Sequence, residues 1–478
     1  MLPKPFSWDR IAARAGRYDG RFLIGVLTTG IYCLPSCTAR QPKPENVRVF
    51  PTETDARAAA LRPCKRCRPD LYYRGEDSDL ALFEGLAARV RAAPERFADT
   101  AAAARACGVS QAKLEDLMRA HAHLTPAAWL RRERVRAACR LLLETSDRIV
   151  DVGLAAGFAS ESVFHRQFLA LTRMTPGAYR ALDGARVFQL QLPRGYRRQE
   201  ILAYHARDPE SPCEKVQGER IFKALAAPEG PIVLEIALEP DAAWCRIRAG
   251  AAPAQASMRA IHGAALRMLG LAADITAFET RAQRDAPFAA IVARRRGLRL
   301  PLTPTTFEGL CWAVIGQQIN IRFASALRRE ILELAGERVG GMRAHPTPQR
   351  LAQIDAADLA RRRYSRAKAR YLVGAAQAVA AGELPAETFA EGSAIAAERA
   401  MTRLHGIGTW TARYVLMRGA GFPDCAPVGD AALAAALQRL TAAGERPRAD
   451  EVERLMHAYA PHRSLATFHL WTSLKDAA

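Results

Sequence analysis

The sequence predicts a multidomain protein that is mostly α-helical and has smaller α+β parts. The chain has 478 residues, which is enough for about three or four domains, and 49% of them are hydrophobic, so several cores can form. Apolar residues recur at helical spacing over long stretches of the chain. Alternating apolar residues typical of strands occur in short stretches, at 230–238 and 245–247.

The charge of the chain indicates the kind of partner. Its net charge is +20, from 69 basic and 49 acidic side chains, and residues 1–183 contribute +9 of it. A positive field spread over both halves favours nucleic acid as partner; an arginine-rich genome is the alternative source of the charge. No run of 18 apolar residues and no N-terminal signal core occur, so we expect no membrane partner and a cytosolic protein. In the cytosol, we expect the cysteines to be reduced thiols or metal ligands.

Four cysteines near the N-terminus have the spacing of a structural zinc site. Cys33, Cys37, Cys64 and Cys67 form the pattern C-x3-C-x26-C-x2-C, with two close pairs on tight turns. Chance clustering of free thiols is the alternative. A Zn²⁺ ion with four thiolates has a net charge of −2, so its sulfurs can attack an alkyl carbon. Nearby basic side chains would bring a DNA phosphate close to them: Arg40, Lys65 and Arg66.

The segments RFLIGVLTTGIYCLPSCTAR and LRPCKRCRPD closely resemble the N-terminal domain of the Ada family. The resemblance implies that zinc-bound Cys33 accepts a methyl group from a DNA methylphosphotriester. The acceptor is consumed, so the act combines stoichiometric repair with damage sensing. Conversion of the thiolate to a thioether removes one negative charge, which would raise the affinity for DNA.

Two helix-turn-helix patterns follow, at 98–124 and 149–179, with a linker helix predicted at 126–144 between them. They resemble the DNA-binding domain of the AraC family, whose two recognition helices enter adjacent major grooves. The resemblance implies transcriptional activation, with promoter DNA and RNA polymerase as partners. A plain helical domain is the alternative. The expected reading face of the second unit carries His165, Arg166 and Gln167.

Residues 184–300 predict a mixed α/β region without a catalytic constellation. VFQLQL, 230–238 and 245–247 are strand candidates, and 256–269 and 285–295 have helical periodicity. Isolated Cys213 and Cys245 are best interpreted as buried thiols.

The stretch 404–412 (LHGIGTWTA) lies between two helical patterns and predicts a helix-hairpin-helix. Gly406 and Gly408 permit a tight turn, and we expect Thr409 to cap the second helix, whose first N–H groups could bind a DNA phosphate. Asp430 follows at a distance at which such an anchor could position it for chemistry. The alternative is an ordinary turn, with Asp430 capping the helix 431–440.

GLRLP, GQQIN, HPTPQRL, LHGIGTWTARYVLMRG and SLATFHLW make residues 184–478 resemble AlkA, the alkylbase DNA glycosylase of the helix-hairpin-helix superfamily. The resemblance implies that Asp430 is the catalytic aspartate and that Gln318 fills the gap left by an extruded base. It also implies a monovalent cation at the hairpin. The matching pocket aromatics are Trp410, Tyr414 and Trp471.

Three positions refine this resemblance. His405 replaces a proline common in such hairpins, and Ala431 replaces an aromatic residue, so the pocket is expected to be roomier. Trp410 stands where bifunctional relatives have a Schiff-base lysine. We therefore expect a monofunctional glycosylase that leaves an abasic site and does not cut the strand.

The chemistry of base excision fits these residue types. A base must be flipped out of the duplex, at a cost of a few kcal/mol. Ring alkylation makes a purine cationic, and electron-rich aromatic faces attract it by about 0.5–2 kcal/mol. As the base leaves, the sugar becomes oxocarbenium-like, and an ionised Asp430 would stabilise it and orient the attacking water.

The sequence therefore predicts a fused alkylation-damage sensor and 3-methyladenine-type DNA glycosylase in the bacterial cytosol or nucleoid. The alternative is a DNA-binding transcription factor whose glycosylase-like half is inactive. A guanine-O6 methyltransferase is excluded, because no cysteine has a Pro-Cys-His-Arg motif. The expected domains are an Ada-like four-cysteine zinc domain (1–78), an AraC-type double helix-turn-helix domain (79–183), an AlkA-like α/β domain (184–297) and a helix-hairpin-helix glycosylase domain (298–478).

Overall fold

The computed structural model describes residues 18–37, 39–73 and 77–477. The first 17 residues of the predicted zinc domain lie outside these ranges. The chain divides between Gly85 and Leu86 into two compact units. Every helix within the described ranges is too short or too polar to span a lipid bilayer.

The first unit contains a four-stranded sheet and two short helices. They are β1 Leu23–Val26, β2 Ile31–Cys33, β3 Val47–Phe50, α1 Glu53–Ala58, β4 Arg62–Pro63 and α2 Pro69–Tyr73. The strand order is β3-β1-β2-β4; β1 pairs antiparallel with β2 and β3, and β2 runs parallel to β4. The core of this sheet is small and consists mainly of Leu23, Tyr32, Leu34, Phe50, Ala56 and Leu61. Strands of two to four residues are too short to show a period in the sequence.

The double helix-turn-helix prediction is confirmed. The helices are α3 Ser78–Ala92, α4 Thr100–Cys107, α5 Gln111–His121, α6 Pro126–Glu144, α7 Ile149–Ala155, α8 Glu161–Thr172 and α9 Pro176–Arg180. Ser110 and Ser160 cap α5 and α8, each accepting a hydrogen bond from a backbone N–H three residues later. The linker helix α6 has the predicted bounds.

The α/β region is a five-stranded antiparallel sheet. Its elements are β5 Val187–Gln191, α10 Arg198–His205, β6 Glu214–Gln217, β7 Arg220–Leu225, β8 Ile232–Leu238, β9 Ala242–Ala249 and α11 Gln255–Met268. The strand order is β5-β9-β8-β7-β6. One face of this sheet packs against buried residues of the segment 135–182. This shared core joins the sheet to the second helix-turn-helix pattern. The sequence predicts neither β6 nor β7, because charged residues interrupt the apolar alternation in both strands.

The remaining residues form a helical bundle, as predicted. Its elements are α12 Thr276–Ala282, α13 Ala286–Arg294, α14 Thr306–Gly316, α15 Ile321–Ala335, β10 Arg338–Val339, β11 Met342–Arg343, α16 Pro348–Ala352, α17 Ala356–Arg361, α18 Arg366–Ala380, α19 Ala394–Thr402, α20 Thr409–Val415, α21 Ala431–Thr441, α22 Ala449–His457 and α23 Arg463–Ser473. One continuous core extends from Ile275 to Leu470. A π-helical turn, Leu416–Ala420, continues α20.

Polar contacts join the helix-turn-helix domain to this bundle. Arg91 and Arg136 both pair with buried Glu133, and they also donate to the carbonyl oxygens of Glu391 and Ala390. Burial alone would raise the pKa of Glu133, but the surrounding arginines hold it below its usual range. His121 Nδ1 lies 2.7 Å from the hydroxyl of Ser393, the residue that caps α19. The helix-turn-helix domain therefore contacts the N-terminal end of α19, the first helix of the hairpin.

Candidate active site and metal centre

The hairpin between α19 and α20 depends on two glycines for different reasons. Gly406 has φ +85°, and a Cβ atom there would lie 2.2 Å from the ring of Tyr371. A Cβ atom on Gly408 would have no heavy atom within 4 Å. Gly406 thus lets the turn pack on α18, whereas Gly408 leaves the surface before α20 uncovered.

The expectation that Thr409 caps the second hairpin helix is wrong. Gly408 is the N-cap residue, Thr409 is the first helical residue, and no side chain caps the helix. Glycine at this position leaves the first N–H groups of α20 without a side-chain acceptor. These groups are the donors that a phosphate oxygen could use.

The two hairpin glycines provide a matched test of this packing. We expect Gly406→Ala to destabilise the protein by about 2–4 kcal/mol, because alanine adds both left-handed strain and a clash with Tyr371. Gly408→Ala should cost less than about 1 kcal/mol, because its extended backbone and open surroundings accept a methyl group. Denaturant unfolding measures both. Equal losses would contradict the packing argument.

The glutamine turn after α14 is tied to the hairpin. Gln317 Nε2 donates to the Gly406 carbonyl oxygen at 2.9 Å and to Thr411 Oγ1 at 3.0 Å. Lys368 Nζ donates to the carbonyl oxygens of Ile315 and Gln317 at 2.7 and 2.9 Å. Gln318 itself is exposed and has φ +57°, so its side chain projects from a fixed turn. Gln318 is predictable from the sequence as a site residue, whereas the bracing roles of Gln317 and Lys368 are visible only in the structure.

The carboxylate of Asp430 caps α21 and also holds two tryptophans. Its Oδ1 accepts from the backbone N–H of Leu433 at 2.8 Å and from Trp471 Nε1 at 3.0 Å. Its Oδ2 accepts from Trp410 Nε1 at 3.3 Å. The two roles considered for Asp430, helix cap and site residue, are therefore compatible. The cap directs the carboxylate toward the aromatic rings.

Three predicted pocket aromatics converge beside Asp430. The ring centroids of Trp410 and Tyr414 are 5.5 Å apart, and those of Tyr414 and Trp471 are 6.1 Å apart, with interplanar angles of 32° and 35°. Trp312 Nε1 donates to the Tyr414 hydroxyl at 3.0 Å. Burial raises the pKa of Tyr414, which keeps this hydroxyl protonated. The three rings, tilted relative to one another, form one wall.

This wall borders a cavity of about 790 Å³, which is large enough for a purine. The lining also includes residues that the sequence does not predict for the site, among them Tyr204, Arg418 and Phe468. Tyr204 comes from α10, which was assigned to a different region, so only tertiary packing brings it here. Phe468 is near Trp471 in the sequence, but its apolar neighbours are typical of an ordinary core position. Arg418 is near Tyr414, but the sequence does not distinguish it from the many other arginines of the chain.

The four N-terminal cysteines converge in the first unit. Their Sγ atoms all lie within 4.8 Å of one another, and a tetrahedral site with Zn–S bonds of about 2.3 Å needs sulfurs roughly 3.8 Å apart. Backbone N–H groups of Leu34 and Arg66 donate to Cys67 Sγ and Cys64 Sγ at 3.3 and 3.4 Å, as suits thiolate ligands. The donor set fits one zinc ion. Arg40, Lys65 and Arg66 are all exposed around this centre.

The predicted reading residues of the second helix-turn-helix unit lie on α8 and differ in availability. Arg166 is exposed, and the half-buried His165 ring lies 3.8 Å from Glu161. Gln167 is half-buried, and its Oε1 is shielded from solvent. Of the three, Arg166 is the best placed to reach a base edge.

Comparison with known proteins agrees with this arrangement. Three families match: the metal-binding domain of Ada (residues 7–70), a helix-turn-helix domain (103–182) and the HhH-GPD superfamily of base excision DNA repair proteins (311–462). A probable bifunctional transcriptional activator/DNA repair enzyme AlkA of Mycobacterium tuberculosis is 30% identical over 97% of this chain and 95% of its own length. A DNA-3-methyladenine glycosylase of Bacillus subtilis is 35% identical over 42% of this chain and 68% of its own.

One solved structure extends the comparison to the fold. A 3-methyladenine DNA-glycosylase from Archaeoglobus fulgidus superposes with a TM-score of 0.53 and 21% identity. The match covers 59% of this chain and 97% of that protein. The second unit therefore contains a complete glycosylase-type fold.

Proposed function

Because the chain belongs to the family of bifunctional Ada/AlkA transcriptional activators and DNA repair enzymes, we propose that it repairs alkylated DNA by two separate reactions. The second unit excises 3-methyladenine-type bases by hydrolysis of the N-glycosidic bond. The first unit accepts methyl groups stoichiometrically from DNA methylphosphotriesters. The helix-turn-helix domain reads promoter DNA, and RNA polymerase is the protein partner expected for an activator.

The observation that carries the glycosylase proposal is the carboxylate of Asp430 between two pocket indoles. An extruded cationic base would stack against Trp410, Tyr414 and Trp471, where ring faces attract positive charge. The carboxylate then faces the sugar carbon as the bond breaks. It stabilises the oxocarbenium-like sugar and orients the attacking water. Trp410 leaves no amine at the position of a Schiff-base lysine, so the product is an abasic site in an intact strand.

The DNA contacts follow from the exposed groups around the cavity. Gly406, Gly408 and Thr409 present the hairpin backbone to a phosphate, and a monovalent cation at this hairpin would assist. Gln318 projects from the braced turn as the side chain that fills the gap in the duplex. A bacterial protein that acts on chromosomal DNA works at the nucleoid.

The methyl-transfer proposal rests on the four converging cysteines. Zinc held by them would keep the sulfurs as electron-rich thiolates. Cys33 Sγ attacks the methyl carbon, the C–O bond breaks, and the phosphate oxygen keeps the electron pair. Arg40, Lys65 and Arg66 are exposed cations that could hold the phosphate backbone during this step.

An excision assay tests the glycosylase proposal. We expect the full chain to release 3-methyladenine from alkylated duplex DNA and to leave a strand that breaks only after treatment with alkali. Strand cleavage without alkali would contradict the monofunctional mechanism. A protein that binds the damaged duplex but releases no base would support the other candidate function, a transcription factor with an inactive glycosylase fold.

Transfer of a labelled methyl group tests the other reaction. Label from methylphosphotriester DNA should bind the wild-type chain at one methyl per protein, and Cys33→Ala should abolish this transfer. Cys107→Ala is the control, because Cys107 lies in α4 outside the zinc cluster. Undiminished label on Cys33→Ala protein would reject Cys33 as the acceptor.

A further inference from the structure

Arg418 is a buried cation without an anionic partner. Its side chain lies in the π-helical turn after α20, only 3% of the residue is exposed, and its Nε has no hydrogen-bond partner in the described structure. No carboxylate pairs with it among the described residues. Burial lowers its pKa to about 9, which leaves it charged at neutral pH. Burial of a charge without a partner of opposite charge lowers the stability of a protein, so the presence of Arg418 at this position needs an explanation.

Two other buried cations, Lys223 and Lys368, do have oxygen acceptors. Lys223 Nζ donates to Glu308 Oε1 at 2.7 Å, and Lys368 Nζ donates to two carbonyl oxygens. The guanidinium carbon of Arg418 instead lies 4.9 Å from the ring centroid of Tyr204 and 5.9 Å from that of Phe468. Ring faces attract a cation but do not accept its N–H bonds as an oxygen does.

The position of Arg418 is held firmly by the backbone. A Cβ atom added to Gly309 would lie 2.8 Å from the Cα of Gly419, so α14 and the π-helical turn touch backbone to backbone. The Arg418 carbonyl oxygen accepts from the backbone N–H of Thr303 at 3.0 Å. π-Helical turns of this kind are frequent at functional sites. The backbone of Arg418 is thus fixed, and Arg418 lines the cavity that contains Asp430.

A guanidinium in this cavity conflicts with a pocket that serves only cationic bases, because it would repel them. It suits a neutral base. When a neutral purine leaves, the C1′–N9 bond breaks and its electron pair goes to the base, so negative charge grows on the purine. Water adds its oxygen to the sugar, and the released proton neutralises the base. A cationic base leaves as a neutral molecule and needs no such help.

We infer that Arg418 is a specificity-determining residue that donates hydrogen bonds to the acceptor edge of an extruded neutral base, such as a purine with a 6-carbonyl group, and stabilises its departure. This inference rests on the proposed glycosylase function and deepens it. The cavity would then stabilise the charge that develops on both sides of the breaking bond. The carboxylate of Asp430 would stabilise positive charge on the sugar, and the guanidinium of Arg418 would stabilise negative charge on the base. Preorganised donors at such developing charge have large effects on rate.

The test compares duplexes that contain hypoxanthine or 3-methyladenine. Arg418→Met should lower hypoxanthine excision by roughly 10²-fold and leave 3-methyladenine excision unchanged or faster, while Arg418→Lys should retain more hypoxanthine activity than Arg418→Met. Arg338→Met is the control, because Arg338 is an exposed arginine of β10 that does not line the cavity. Equal losses on both bases would indicate a structural role and overturn the inference.

A binding measurement separates this inference from the proposed function. A 2′-fluoro-2′-deoxyinosine duplex carries the same base but resists hydrolysis, because fluorine disfavours the oxocarbenium-like sugar. Wild-type protein should bind it more tightly than an undamaged duplex, and Arg418→Met should lose that preference while Arg338→Met keeps it. Absence of the preference in the wild type, or its persistence in Arg418→Met, would overturn the inference even if the chain hydrolysed no base at all.

Discussion

Replacement of Asp430 by asparagine should lower the rate of 3-methyladenine release by roughly 10²–10³-fold. The substitution is nearly isosteric and removes the negative charge that would stabilise the developing oxocarbenium. Asparagine caps helices about as well as aspartate does, so it can still accept from the N–H of Leu433 and from Trp471. The Nδ2 of asparagine cannot accept from Trp410 Nε1, so this long hydrogen bond of 3.3 Å is lost, and we expect a small loss of stability of about 0.5 kcal/mol.

The measurement should be made under single-turnover conditions, so that slow product release does not conceal the loss. Asp430→Ala is the second variant: it removes both the charge and the cap, and we expect it to cost about 1 kcal/mol of stability in addition to activity. A normal excision rate in the asparagine variant would reject the carboxylate mechanism. A large loss of stability in that variant would show instead that the cap had failed.

Local features of the site could be predicted from the sequence where one short segment determines them. The hairpin, the spacing of Trp410 and Tyr414 on one helix, and the pairs of cysteines on tight turns are of this kind. The double helix-turn-helix domain is recognisable because the second helix of each pair, α5 or α8, begins with a serine cap and has an apolar period. The domain boundaries stay a prediction, although the core shared across residue 184 joins two of the expected domains.

Other features depend on tertiary packing and could not be predicted from the sequence. Tyr204 reaches the cavity from α10, more than 200 residues before Asp430, and no periodicity links the two. The prediction placed the cap of α20 at the wrong residue because threonine is a favoured N-cap residue in general, whereas here the helix already begins at Thr409 and Gly408 precedes it. Arg418 resembled one more arginine in a basic chain until its burial and missing partner were visible.

Loss of the zinc site should have the largest effect on the first unit. Cys64→Ser removes one ligand but leaves the proposed acceptor Cys33 in place, so it separates folding from chemistry. Structural zinc contributes about 10–16 kcal/mol in small domains, and the few buried side chains of this sheet cannot replace that contribution. We expect the variant to lose bound zinc, protease resistance within residues 18–73, and methyl acceptance together.

The same variant should excise 3-methyladenine at the wild-type rate, because the second unit has its own extended cores. Cys107→Ser, outside the cluster, should retain zinc, and a strong chelator should reproduce the Cys64→Ser result in the wild-type chain. Metal content and limited proteolysis measure these outcomes. If the variant lost zinc but kept a protease-resistant first unit, the sheet would be stable without metal, and zinc would be needed for the reactivity of Cys33 alone.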